Sequence, residues 1–159
     1  MKKLIISIIF AVVAVSAYAR PKAIGLRFGY DLQLSYEHNV GDKADFFGLD
    51  LGLEALGLGA NIAGTYNFMI AQPEWTSKGE WGFYAGPLVR AGYYFLGYGY
   101  AAAGAQVGLE YTFHFPLQLA VDVRPSVGAR FGTGYAGFYT GGLLTGLVPT
   151  LSVRYSFGK

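Results

Sequence analysis

Few residues in this chain of 159 have the types and spacing that catalysis requires. The histidines are His38 and His114, and Glu110, Thr112 and His114 alternate along one stretch, so on a β-strand they share a face. A nucleophilic site needs a hydroxyl group bonded to the histidine and a third group that orients the ring. Thr112 lies two positions from His114 on the same face, which is poor geometry for that bond. We therefore predict a structural role for His114 and no catalytic residue.

Cofactor and metal motifs are equally weak. Residues 132–137 match the pattern G-x-G-x-x-G formally. A dinucleotide site needs a helix immediately afterwards and an acidic residue about 20 positions further on, and the sequence predicts neither. A glycine-rich surface loop is the simpler interpretation. A lone histidine supplies too few ligands for a transition metal, and the absence of cysteine excludes thiolate-bound zinc and iron–sulfur clusters. We predict no cofactor and no metal.

The first 19 residues have the pattern of a secretory signal peptide. Lys2 and Lys3 precede an apolar run over residues 4–16, and Ala17-Tyr18-Ala19 is a typical cleavage site. The two lysines account for the formal net charge of +2, so residues 20–159 are neutral overall. The balance argues against nucleic acid as a partner. The sequence thus predicts one exported domain over residues 20–159.

Apolar and polar residues alternate with a period of two through most of this domain, and only 14% of the chain is charged. Leu26 and Phe28, for example, flank Arg27. Such alternation predicts strands with one apolar and one polar face. We predict eight strands, at residues 23–29, 32–38, 46–56, 60–70, 81–94, 102–115, 117–131 and 145–157. Residues 23–38 also fit one long strand, and the even strand number usual in bacterial barrels favours two.

The polar face is rich in glycine and in charges of both signs, while aromatic residues such as Tyr36, Phe113 and Tyr155 gather at strand ends on the apolar face. These features favour an antiparallel transmembrane β-barrel with lipid outside and an ion-paired interior. A soluble barrel with its apolar face inward is the alternative. The predicted interior network comprises Arg27, Glu37, Asp50, Glu54, Arg90, Glu110, His114, Asp122, Arg124, Arg130 and Arg154.

Several segments resemble small outer-membrane barrels of the OmpA/OmpX type, in particular a family of short porin-like barrels of unassigned function. The similar segments are residues 23–27, 34–38, 84–87, 108–113 and 116–119, and the final Val153-Arg154-Tyr155-Ser156-Phe157. The resemblance implies an all-β barrel in the Gram-negative outer membrane. The aromatic final strand resembles the signal that barrel-assembly machinery reads, although Gly158 and Lys159 follow it here.

We therefore expect an outer-membrane protein with a structural or surface-interaction role and no enzymatic activity. Outer-membrane lipid and the assembly machinery are the expected partners, together with an unidentified extracellular ligand. One alternative is a narrow channel or solute carrier, and another is a lipid-modifying enzyme that would use His114. Candidate surface-loop contacts, chosen because tyrosine and glycine form adaptable binding surfaces, are Tyr98, Tyr100, Tyr135, Phe138 and Tyr139.

Overall fold

The computed structural model describes residues 21–41, 43–54 and 57–157, and the predicted signal peptide lies outside them. Nearly all described elements are antiparallel strands, and one short helix, α1 (Gly141–Gly146), lies between the last two. No helix in the described ranges is long and apolar enough to cross a membrane. The strands are β1 (Pro21–Phe28), β2 (Asp31–Asn39), β3 (Phe46–Glu54), β4 (Gly59–Ala71), β5 (Gly79–Tyr94), β6 (Tyr98–Phe113), β7 (Gln118–Val123), β8 (Ser126–Gly132), β9 (Tyr135–Tyr139) and β10 (Thr150–Ser156).

Eight of these strands close into a barrel, which confirms the prediction of an all-β, antiparallel barrel of eight strands. Strands β1 to β7 follow one another around the wall, and β10 joins β7 to β1. Residues 23–38 form two strands, β1 and β2, that turn at Gly29 and Tyr30. The chain enters β1 and leaves β10 at one end of the barrel, which we call the terminal end; the other is the distal end.

The strands are strongly staggered. One row of paired residues runs from Arg90 on β5 through Ser35 on β2 and Arg154 on β10, and returns to β5 at Glu80. The offset of ten residues is the shear of the barrel, and it implies strands tilted by roughly 40°. Because of this tilt, paired residues on neighbouring strands lie at different heights. From β1 through β2 to β6, the paired residue on each strand lies about 3 Å nearer the distal end than the one on the strand before.

The predicted strand over residues 117–131 is wrong, because it divides into β7 and β8 at Arg124 and Pro125. Proline has no amide hydrogen for a ladder bond, so a break in pairing is expected there. Both parts still pair with β6, β7 with its terminal half and β8 with its distal half.

Only Thr133 and Gly134 of the predicted glycine-rich loop at residues 132–137 form a turn, and the other four residues pair within a hairpin of β8 and β9. Gly134 occupies the turn with a φ of +80°, a conformation that glycine adopts without strain. The last strand begins at Thr150 rather than at residue 145, since α1 and the residues after it take up the intervening chain.

Side chains alternate between the two sides of the wall. Arg27, Ser35 and Asp50 are buried inside the barrel, whereas Leu26 and Leu34, which neighbour them in sequence, are about half exposed outside it. The apolar face therefore points outward and the polar face fills the lumen. This arrangement is the reverse of a soluble barrel, in which apolar side chains form the core.

Candidate functional site

The barrel lumen contains most of the charged residues that the sequence predicts to be there. Nine of the eleven point inward, and their side chains are less than a tenth exposed. They are Arg27, Glu37, Asp50, Glu54, Arg90, Glu110, Asp122, Arg124 and Arg154. They form three groups along the barrel axis.

The group at the terminal end surrounds Glu110. Lys22 donates to both oxygens of this carboxylate, at 2.6 and 2.8 Å, and the Gln118 amide donates to one of them at 3.1 Å. Arg154 pairs with Glu37 at 3.1 Å. The Lys22 ammonium also lies 3.7 Å from the centre of the Phe46 ring, where the aromatic face attracts a cation.

The middle group centres on Asp122. Arg27 donates through two nitrogens to its carboxylate, and the Tyr84 hydroxyl donates to the same group at 3.0 Å. Arg124 donates to Asp50 at 2.5 Å, and its Nε also lies 3.5 Å from Asp122 Oδ1. Charges this deeply buried are tolerated only when they are paired and hydrogen-bonded.

The distal group contains two carboxylates and one arginine. Arg90 forms ion pairs with Glu54 and, at 3.1 Å, with Asp31. Asn61 donates to both carboxylates, at 2.7 Å to Glu54 and 2.9 Å to Asp31. The Tyr100 hydroxyl also donates to Glu54. This group closes the lumen below the distal mouth.

Two predicted members of the network lie outside it. His114 follows the end of β6, is exposed, and its Nε2 lies 2.9 Å from the Ser77 carbonyl oxygen. Alternation along β8 predicts that Arg130 faces the interior, but β8 is not one of the eight strands that close the barrel, and Arg130 is exposed. The alternation of side chains alone cannot show that a strand extends past the closed part of a barrel.

The five predicted surface contacts differ in exposure. Tyr100 and Tyr139 are buried and stack on each other with ring centres 4.4 Å apart, so the prediction that they are surface contacts is wrong. Tyr98 is half-buried and stacks on Tyr94 at 4.7 Å. Of the five, Tyr135 and Phe138 are exposed at the distal end, and their role as surface contacts stays a prediction. Tyr139 lies on β9 and reaches the Tyr100 ring of β6 because the hairpin of β8 and β9 continues the wall beside β6.

Lys22 is the most informative residue that the sequence analysis missed. Its neighbour Ile24 and the other even-numbered residues of β1 face outward, so simple alternation assigns Lys22 to the outside. A shift in pairing between Pro21 and Ala23 breaks the alternation, and Lys22 reaches Glu110 inside. A bulge of this kind leaves no pattern in the sequence of one strand.

The lumen is therefore a packed set of ion pairs. Among the described residues no group of three or more histidine, aspartate or glutamate side chains could hold a metal ion. A cavity of about 30 Å³ lies in the distal half and is lined in part by Arg27, Arg90 and Arg124. Comparison of the chain with protein-family models, curated proteins and solved structures found no match.

Proposed function

We propose that this protein is an integral outer-membrane barrel with a structural or surface-interaction role, and that it neither catalyses a reaction nor forms an open pore. The observation that carries the proposal is the apolar outer surface of the barrel wall. Val89, Val107 and Val121 lie on the outside of different strands, and each is between 47% and 64% exposed. An apolar surface that continues around a barrel needs lipid or a partner to cover it.

Aromatic residues mark two edges of this apolar surface. Near the terminal end, the Trp75 ring contacts both Trp81 and Phe83, with ring centres 5.5 Å apart in each pair. Tyr93 and Phe95 lie at the other edge, beside the turn between β5 and β6. Phe83 and Tyr93 are ten residues apart on one tilted strand, which corresponds to about 25 Å along the axis. That distance matches the apolar band of outer-membrane barrels.

The outer membrane is the membrane that fits these features. Barrels that span membranes with antiparallel strands are typical of that membrane, and the N-terminal pattern predicts export to the cell envelope. The resemblance to small barrels of the OmpA/OmpX type supports the same location. The aromatic end of the final strand, with Tyr155 on β10 and Phe157 directly after it, would be read by the barrel-assembly machinery.

The ion-paired lumen supports a role without transport. An eight-stranded barrel has an interior just wide enough for side chains, and here charged pairs fill it at three levels. Contacts with other molecules would then be made at the two ends or on the wall. Tyr135 and Phe138 at the distal end are exposed and available for them.

The first experiment is heat modification of the protein in an outer-membrane fraction. A closed membrane barrel resists detergent, so an unboiled sample should migrate differently from a boiled one on a denaturing gel. We expect that shift, with the protein recovered in the outer-membrane fraction. A protein that stays soluble and monomeric without detergent would contradict the proposal.

Conductance distinguishes the proposed role from a narrow channel. Purified barrel in planar bilayers should give no current above the leak of protein-free membranes, because the lumen is closed by its ion pairs. Currents that change when Arg90 or Glu110 is replaced would instead indicate a channel. Lipid turnover that is lost in a folded His114→Ala variant would indicate an enzyme.

A further inference from the structure

One side of the barrel wall is not closed by strand pairing. β10 pairs with β1 only as far as Leu151 and Phe28. Beyond that level β9 is an edge strand, and in the described ranges no backbone hydrogen bond joins β9 or α1 to β1 or β2. The turn between β1 and β2 therefore faces α1 across an unpaired seam.

Helix α1 fills the place where a longer β10 would lie. Gly142 and Gly146 press on the neighbouring wall, and the Gly146 carbonyl accepts a bond of 2.7 Å from the Arg124 amide. Leu144 and Leu147 point the other way and are 78% and 59% exposed. The outer side of α1 is thus as apolar as the strands around it.

The cavity of about 30 Å³ lies directly behind this seam. Tyr30 and Asp31 line it from the turn between β1 and β2, and Thr145 and Val148 line it from the α1 side. Arg90 lines its inner wall. Tyr30 and Val148 are both more than two-fifths exposed, so the seam is not covered by other parts of the described chain.

The seam lies at the depth of the apolar band. Leu88 and Arg90, which line the cavity, are five and seven residues beyond Phe83 on β5. That spacing puts the cavity about 15 Å above the terminal aromatic edge, well inside a band about 25 Å tall. If the proposed membrane location holds, the seam opens sideways into lipid.

We propose that the cavity behind the seam binds the uncharged hydroxyl head of a single-chain amphiphile. The head group enters from the membrane, and the apolar tail remains in the membrane beside α1. The proposal rests on the membrane location proposed above. Arg90 Nε and Asp31 Oδ1 are buried atoms of cavity-lining residues without a hydrogen-bond partner, and together they offer one donor and one acceptor. A hydroxyl group can satisfy both.

Charge and size decide the class of head group. Each of the three arginines that line the cavity, Arg27, Arg90 and Arg124, already forms an ion pair with an interior carboxylate, so the cavity has no uncompensated positive charge for an anion. A volume of about 30 Å³ accommodates roughly two water molecules, or one hydroxymethyl group, and is too small for a sugar or a phosphate.

Photolabelling tests the proposal directly. Barrel in phosphatidylcholine vesicles is exposed to dodecan-1-ol with a diazirine beside the hydroxyl end, and labelled residues are mapped by mass spectrometry. We expect labels on Tyr30 and on residues 145–148. The same diazirine on dodecane, which lacks the hydroxyl, should label these positions roughly tenfold less, as loss of about 1.4 kcal/mol of hydrogen bonding predicts.

Two tryptophan variants provide the matched control. Val148→Trp narrows the seam and should reduce labelling there by a similar factor. Val107→Trp alters an exposed residue on β6, away from both the cavity and α1, and should leave labelling unchanged. Equal labelling by the alcohol and the alkane, or labelling unaffected by Val148→Trp, would overturn the site. A barrel that does not insert into vesicles would instead refute the membrane location.

Discussion

Arg27 lies almost completely inside the barrel, and its guanidinium depends on Asp122 for compensation. Replacement of both members together by apolar residues of similar size should change the stability of the barrel little. The attraction between the two charges largely offsets the cost of removing them from water. Loss of one member is different, since it leaves the other charged and buried. The interior pairs therefore constrain which single substitutions the barrel tolerates.

Replacement Arg27→Met should reduce the free energy of unfolding by about 3–5 kcal/mol, because it leaves Asp122 without its principal cation. Urea unfolding of the barrel in detergent micelles measures this loss. The double variant Arg27→Met with Asp122→Leu should recover part of it, and Arg130→Met, at an exposed position, should change stability by less than about 0.5 kcal/mol. A single variant as stable as the parent would show that Asp122 finds another partner.

The alternation of side chains between the two faces of a strand explains which interior positions the sequence predicts. Arg27, Asp50 and Arg154 were assigned correctly because side chains on a regular strand alternate strictly between two faces. Lys22 was missed because a bulge breaks that alternation. The prediction for Arg130 is wrong for a different reason. Alternation gives the face of the strand on which a residue lies, but it does not show whether that part of the strand belongs to the closed barrel.

At the scale of elements, α1 and the hairpin of β8 and β9 interrupt a regular barrel. Proline at position 125 signals the end of β7, but the residues after it alternate well enough to extend the predicted strand. The six residues of α1 are too few to show a helical period in sequence. The closure of the wall was predictable, and the unpaired seam beside α1 was not.

We predict that the packing of α1 against the barrel wall requires the close backbone approach at Gly146. A Cβ atom at this position would lie 2.1 Å from the Arg124 carbonyl oxygen, so Gly146→Val must displace the helix or the strand. We expect a local cost of about 2 kcal/mol and hydrogen exchange at the Arg124 amide roughly 30-fold faster, because that amide bonds to Gly146.

Gly137→Val is the matched control for this helix variant. The nearest atom to its added Cβ would be Arg130 Nε at 3.5 Å, an ordinary contact with a movable side chain. Exchange at Arg124 should therefore stay at the parent rate. An unchanged rate in Gly146→Val as well would mean that α1 does not depend on this close approach.

At the scale of the whole molecule, charge is concentrated in the lumen and at the terminal end. Lys43, Glu74, Lys78 and Glu80 are exposed in or beside the turns of the terminal end, whereas Arg130 is the exposed charged residue among the described parts of the distal end. The wall between the ends displays Val, Leu, Ile and aromatic side chains. This distribution suits a molecule whose middle is surrounded by lipid.

Val89 lies midway along the wall, six residues beyond Phe83 and four before Tyr93, and is 64% exposed. In a bilayer, Val89→Arg should reduce folding stability by about 2–4 kcal/mol, because it places a charge near the centre of the apolar band. Tyr155→Arg, near the terminal edge, should cost no more than about 1 kcal/mol. Refolding into lipid vesicles over a urea series measures both. A soluble barrel would tolerate Val89→Arg as it tolerates any exposed charge, so equal stability of Val89→Arg and the parent would contradict a lipid-facing wall.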